Sequence, residues 1–387
     1  MPSPGTRPRL PLLTLGLVAL LLLLPATLSA QSLDLGISRV GLSLGNSPRW
    51  TGLRINISDR GVERVNGVNV TLWKPATVRD EEGNTGTANP DFRMNGIALG
   101  LAPVAATFNG AALGLVGVVA HEAVNGLAVG GLGVVSEGAV RGISLGGLGL
   151  VAEGELSGIQ AAGLGLVSEG PLRGISLAGL GTIAQGAMSG INIAGLGVVS
   201  EGTMTGINVG GLGVVAQSDM IGINLSGLGT VSQGDMIGLN IAGLGTVAEG
   251  AMRGINIGGL ATVAEGGMEW INIAGLAVVA EARLRGATAA LGAVVSDGSI
   301  EGLTATGYRL QAPRVSGIAL ALAHLRADTL TGVGTGAYVR VDGVQRGLSI
   351  AVYNRARELH GLQVGVINRA DNNRGIARIL PLFNFHR

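Results

Sequence analysis

Residues 190–205 read G-I-N-I-A-G-L-G-V-V-S-E-G-T-M-T, and the pattern returns every 16 residues through the middle of the chain. Gly110, Gly126, Gly142, Gly158, Gly174, Gly190, Gly206, Gly222, Gly238 and Gly254 open successive units, Trp270 takes the next slot, and Gly286 and Gly302 follow. Self-similarity at a fixed period marks an array in which each unit packs only on its neighbours. We number the unit one to sixteen from its leading glycine. Position two is Ile143, Ile159, Ile175, Ile191, Ile207, Ile223, Leu239, Ile255 and Ile271, and position seven is Leu from Leu132 through Leu276. Position ten is Val or Ile, as in Val135, Ile183, Val215 and Val295. Position fifteen runs Val140, Leu156, Leu172, then Met188, Met204, Met220, Met236, Met252 and Met268, then Leu284. These columns, with position four, are expected to form the core. Leu and Val replace Met within one column, which makes that column packing rather than a soft-metal site. On this assignment an Asp at Leu212 lies inside and a Glu at Gln217 lies in a solvated turn.

Helix does not suit the unit. Glycine recurs near positions one, six and eight, and each interior glycine costs a helix roughly 1 kcal/mol. Ile and Val fill the remainder, which suits short strands. Two β architectures then compete. An up-and-down barrel places successive turns at opposite ends, so its pattern alternates over two units; here every unit repeats the same turn. An outer-membrane barrel also carries two aromatic girdles, whereas Trp270 is the only aromatic residue between Gly110 and Gly302. The expected fold is all-β: a parallel β-solenoid of 16-residue Gly-rich coils with distinct N- and C-terminal caps. Twelve coils between Gly110 and Gly302 give a length of roughly 60 Å at the ~4.8 Å strand spacing.

Two polar columns fit stacked coils. Position three is Asn192, Asn208, Asn224, Asn240, Asn256 and Asn272, with Ser or Gln in earlier units and Thr288 later. In parallel, in-register stacks such amides bond to the copies above and below. Position twelve is Glu137, Glu153, Glu169, Glu201, Glu249, Glu265, Glu281 and Asp297, with Gln185, Gln217 and Gln233 interleaved. Arg four residues later is expected to relieve the repulsion at Glu137/Arg141, Glu169/Arg173, Glu249/Arg253 and Glu281/Arg285. One carboxylate per coil is few for calcium, which takes six to eight oxygens.

Composition narrows the function classes. The chain has 387 residues, 69 of them Gly, with 3% aromatic, 13% charged and 47% hydrophobic residues. Ample apolar surface argues against disorder, and scarce aromatics argue for a thin, repeated core. A net charge of +1 gives no general polyanion signal. Cysteine is absent, which excludes disulfides, thiolate metal sites and a Cys nucleophile. Lys74 is the only lysine, which we read as a high-GC coding bias. Arg7 and Arg9, the apolar run 10–24 and the small residues Ser29-Ala30 read as a signal peptide cleaved before Gln31. The domain reading is a signal peptide over 1–30, an N-terminal cap region over 31–95, the solenoid array over 96–316, and C-terminal divergent repeats and cap over 317–387. Tyr353, Arg355, Arg357, Arg369 and the end Leu382-Phe383-Asn384-Phe385 suit the last of these.

The units G-I-N-I-A-G-L-G-V-V and the tail A-R-E-L-H-G-L-Q-V-G-V-I-N-R-A-D-N-N, followed by L-P-L-F-N-F, resemble the LA_2272-type surface repeat-containing proteins of bacteria over most of residues 96–387. The resemblance implies an exported, envelope-associated protein and brings no catalytic residues. Here the residue after G-L is mostly Gly, where similar proteins often carry a larger residue followed by Asn.

No constellation of residues carries chemistry. His121, His324, His360 and His386 are isolated in sequence, without ligand spacing. The G-L-G triplets recur in every unit without the strand–helix context of a dinucleotide fingerprint. No catalytic, cofactor-binding or metal residue is assigned, and no basic–aromatic interleaving points to nucleic acid. An ice-binding threonine ladder (Thr182, Thr230, Thr246, Thr262) is interrupted by Val198, Val214 and Val278. The expectation is a non-enzymatic exported envelope or surface protein with a structural or interaction role and an envelope or extracellular partner. It would use no cofactor and lie in the periplasm, at the outer membrane or on the cell surface. Peripheral outer-membrane association fits the same picture. The alternative is an outer-membrane β-barrel.

Overall fold

A computed structural model describes residues 32–73, 77–79, 85–87 and 89–387. The segment read as a signal peptide, Lys74 and the acidic stretch Asp80-Glu81-Glu82 lie outside the described residues.

Each 16-residue unit makes one coil of two strands. In the unit at Gly190 these are Met188–Ala194 and Gly197–Ser200, joined by a turn at Gly195-Leu196. The next coil repeats them as Met204–Gly210 and Gly213–Ala216. Successive coils pair in parallel and in register, Asn192 opposite Asn208 and Val198 opposite Val214. The chain is therefore a parallel β-solenoid, and the barrel alternative falls: barrel neighbours in sequence would pair antiparallel. Parallel pairing also runs beyond the regular units, from Gly41 through Gly52, Gly67 and Gly96 to Gly110, and from Gly302 through Gly317 to Gly332.

Both ends reverse direction. Ser32–Ile37 pairs antiparallel with Val40–Gly45, and Ile379–His386 pairs antiparallel with residues 361–369 at the end of the continuous extended segment His324–Ala370, which runs through several coils. The first coils also carry a charged plug. Arg54 occupies position three of its coil and is fully buried; it forms an ion pair with buried Asp59 and donates to Asn69 Oδ1 at 2.7 Å. Asp59 also accepts a 2.6 Å bond from Thr71. A buried charge persists only when paired and hydrogen-bonded.

The leading glycine bends the longer strand. Gly190 has φ +112°, and a Cβ there would come within 2.0 Å of the Gly174 carbonyl oxygen in the adjacent coil. The exception is Trp270, held at φ +85° with 69% of its surface exposed.

The structure corrects the expected core. Position fifteen is inside, with Met188, Met204, Met220, Met236, Met252 and Met268 fully buried. Positions two, four, seven and ten face outward, and Leu212 is 48% exposed. The interior is filled instead by positions three, five, nine and eleven, here Asn192, Ala194, Val198 and Ser200. The reason is the two-residue period of a strand. Starting from an inward Met188, alternation brings Asn192 and Ala194 inside and turns Ile191 and Ile193 out. The Gly195-Leu196 turn then resets the phase, so Val198 and Ser200 face in. A lumen this narrow takes small side chains opposite each Met. The bulkiest apolar columns alternate with the core instead of forming it.

Candidate functional site

Outside the core, charge is sorted by column. Between residues 126 and 301 every Asp, Glu and Arg falls on position twelve, fourteen or sixteen, so one edge of the solenoid is charged and the outward positions two through ten are not. Arginines on this edge do not pair with the Glu four residues earlier, as expected from sequence. Glu155, at position fourteen, accepts from Arg173 at 2.8 Å and lies 3.9 Å from Arg141; Arg253 pairs with Asp235 at 2.9 Å and Arg283 with Glu269 at 3.3 Å. Positions fourteen and sixteen flank the inward side chain at fifteen, so both point out on one side and meet across coils. The position-twelve column is exposed, and His121 contacts Glu137 in the next coil at 3.0 Å.

The last coils carry a different surface. The outward leucines give way to Tyr308, His324, Tyr338 and Tyr353 in successive coils. Their rings meet edge-on at 5.6 Å and 5.9 Å, and then Tyr338 and Tyr353 stack at 5.2 Å. Two residues on from His324, Tyr338 and Tyr353 stand Arg326, Arg340 and Arg355, with Arg369 in the coil beyond. Residues i and i+2 share a strand face, so a row of guanidinium groups runs beside the row of rings at the coil spacing.

Two carboxylates are shared among the four arginines. Asp342 lies 2.6 Å from Arg340 and 3.2 Å from Arg326; Asp371 lies 2.7 Å from Arg369 and 3.7 Å from Arg355. The hydrogen bond from Arg340 holds the Asp342 carboxyl below its ordinary value, outweighing partial burial, and Asp342 in turn raises Arg340. Arg369 is raised in the same way by Asp371. Arg309 opens the row, hydrogen-bonded to Gln311 and without a carboxylate partner among the described residues. Tyr308, Arg309, His324, Arg326, Tyr338 and Arg340 line a concavity of about 240 Å³.

The strip can bind a string of anionic groups. Guanidinium forks recognise carboxylate, sulfate or phosphate oxygens in bidentate fashion, and a row of them at ~4.8 Å suits an extended chain. The local balance agrees: residues 302–387 hold eleven Arg against four Asp and Glu, whereas residues 126–301 hold five Arg against thirteen Asp and Glu. A chain-wide charge of +1 conceals these opposite regions.

Sequence reading missed this site. The four rings are spaced 16, 14 and 15 residues apart, close to the 15- and 14-residue steps of Gly302, Gly317, Gly332, Gly347 and Gly361, and that was the available signal. The structure puts Tyr353, Arg355 and Arg369 on this strip and His324 within it, and brings His360 and His386 to 5.9 Å of each other. No group of three or more His, Cys, Asp or Glu among the described residues could hold a metal ion.

Comparison with protein-family models, curated proteins and solved structures returned no match.

Proposed function

We propose that this chain is a non-enzymatic, exported protein of the bacterial envelope that works as a rigid binding beam, its C-terminal coils engaging an extended acidic polymer. The observation that carries the reading is the row Arg326, Arg340, Arg355 and Arg369 beside Tyr338 and Tyr353, repeated at the coil spacing. A solenoid suits the task because like side chains recur at a fixed interval and can meet like groups of a polymer. Export rests on the charged, apolar and small-residue regions of residues 1–30. The chemistry fits an envelope glycan bearing carboxylates or phosphates.

Titration calorimetry with polygalacturonate as the acidic probe and dextran as the neutral one tests the binding. The reading expects salt-sensitive binding to the acidic polymer alone, weakened at least about tenfold in an Arg326→Ala/Arg340→Ala/Arg355→Ala variant that keeps its fold. Equal binding by the variant, or none by the native chain, contradicts it. Recovery of the chain in the cytoplasm of fractionated cells contradicts export.

A further inference from the structure

The uncharged side of the array presents an apolar relief that calls for a partner. Positions two and four form ridges of Ile and Leu, such as Ile207 at 38% exposure, and position seven forms a third ridge of Leu. Beside ridge four runs an axial groove floored by the small residues of positions five and six, mostly Gly and Ala. It opens to about 500 Å³ beside Leu145, Leu177 and Ile193, and to about 710 Å³ beside Ile257, Ile273 and Leu320.

Area decides whether this is incidental. Eleven coils at ~4.8 Å and six residues at ~3.3 Å give a face of roughly 50 by 17 Å, about 900 Å². The largest apolar patch on a typical monomer is about 300–600 Å², and a stable complex buries about 800 Å² on each partner.

We infer that this face docks a second copy of the same chain, antiparallel, the leucine ridge of each copy seated in the groove of the other. The ridge and groove lie side by side on one surface, which is the self-complementarity that a two-fold interface requires. Coil spacing matches coil spacing, so ridges interdigitate as in a dry zipper between sheets. The charged edges point away from this face and stay in water. Antiparallel packing about a two-fold axis sets the basic C-terminal coils of the two copies at opposite ends, whereas parallel packing would place them side by side. Charge disfavours a lipid surface as the occupant. Interfacial amphipathic segments carry basic residues along the polar side, while this edge has thirteen acidic residues to five arginines.

Trp270 supplies an independent sign. It is the one member of the glycine column with a side chain, it sits in the left-handed region, and it is exposed beside Ile271. Such strain costs of order 1–3 kcal/mol and concentrates at functional positions, and Trp is among the residues enriched at interface hot spots.

Sedimentation velocity on the full chain and three variants tests the inference. The native chain is expected to sediment as a dimer at micromolar concentration. Ile207→Lys/Ile223→Lys should weaken dimerisation by roughly a hundredfold or more. Trp270→Gly restores the residue of the adjoining coils, so it keeps the fold while weakening the dimer about tenfold. Glu201→Gln on the charged edge should leave it unchanged. A native chain that sediments as a monomer overturns the inference. So does a lysine variant that dimerises like the native chain, or a monomeric chain that floats with phosphatidylcholine vesicles.

Discussion

Asn192 Nδ2 donates to Asn208 Oδ1 at 2.8 Å across one coil, with both side chains fully buried. The bond repeats from Asn208 through Asn224, Asn240 and Asn256 to Asn272, at 2.8–2.9 Å, and Ser176 Oγ donates into the start of the row. Each amide donates forward and accepts from behind. This polar spine inside the lumen fixes the register of the coils, since a slip would leave the amides unpaired in a dry interior.

Cutting the spine should be costly. Asn224→Ala strands the Asn208 donor and the Asn240 acceptor, and each orphaned buried group costs about 1–3 kcal/mol. Urea unfolding is expected to show a total loss of about 2–5 kcal/mol. A loss under about 0.5 kcal/mol would mean that the amides do not form the spine.

The spine also ends badly. Asn272 Nδ2 is buried and finds no acceptor, because the next coil offers Thr288 at this position. Thr288→Asn supplies an amide oxygen for Asn272, but its own amide then faces Thr304 in the next coil, so the orphaned donor moves one coil on and stability should change by no more than about 1 kcal/mol. The midpoint of thermal unfolding reads this directly; a larger fall would place residue 288 in another environment.

Column identity predicts opposite outcomes for two substitutions in neighbouring coils. Met204 is fully buried at position fifteen, so Met204→Asp should cost at least about 3–5 kcal/mol or prevent folding. Leu212 is 48% exposed, so Leu212→Asp should cost the monomer about 1 kcal/mol or less, measured at dilutions where the chain does not self-associate. Equal losses would refute the assignment of inside and outside.

Much of this fold is legible in sequence because the 16-residue period is unbroken and every unit carries the same turn. The Asn column announces stacking for the same reason. The inside and outside were not legible from residue size: Ile191, Ile193 and Leu196 are bulkier than Asn192, Ala194 and Ser200, yet the narrow lumen takes the smaller set. The strip of Tyr338, Tyr353, Arg340 and Arg355 was hidden because the coil length drops below 16 there. Aligning those residues requires knowing where each coil closes.

The arginine strip should lose its internal order in acid. The Asp342 carboxyl is held below its ordinary value in the folded chain by Arg340 and Arg326. Its stabilising contribution is therefore complete above that ordinary value and declines as the pH falls below it, vanishing once the carboxyl protonates in the folded state. Hydrogen exchange of residues 324–342 should accelerate between neutral pH and about pH 3 more in the native chain than in Asp342→Asn, after correction for intrinsic rates. An identical response in both would remove Asp342 as the cause.

Thiol labelling tests the architecture most directly, because the chain contains no cysteine. Single substitutions Met204→Cys, Ile207→Cys, Asn208→Cys and Leu212→Cys sample positions fifteen, two, three and seven of successive coils. At nanomolar protein, diluted well below the micromolar range in which the face self-docks, reaction with a water-soluble maleimide should be fast at 207 and 212 and strongly protected at 204 and 208, since 204 and 208 face the lumen. Protection at 212 together with rapid labelling at 208 would place the leucines inside and the asparagines in water, and would contradict the account.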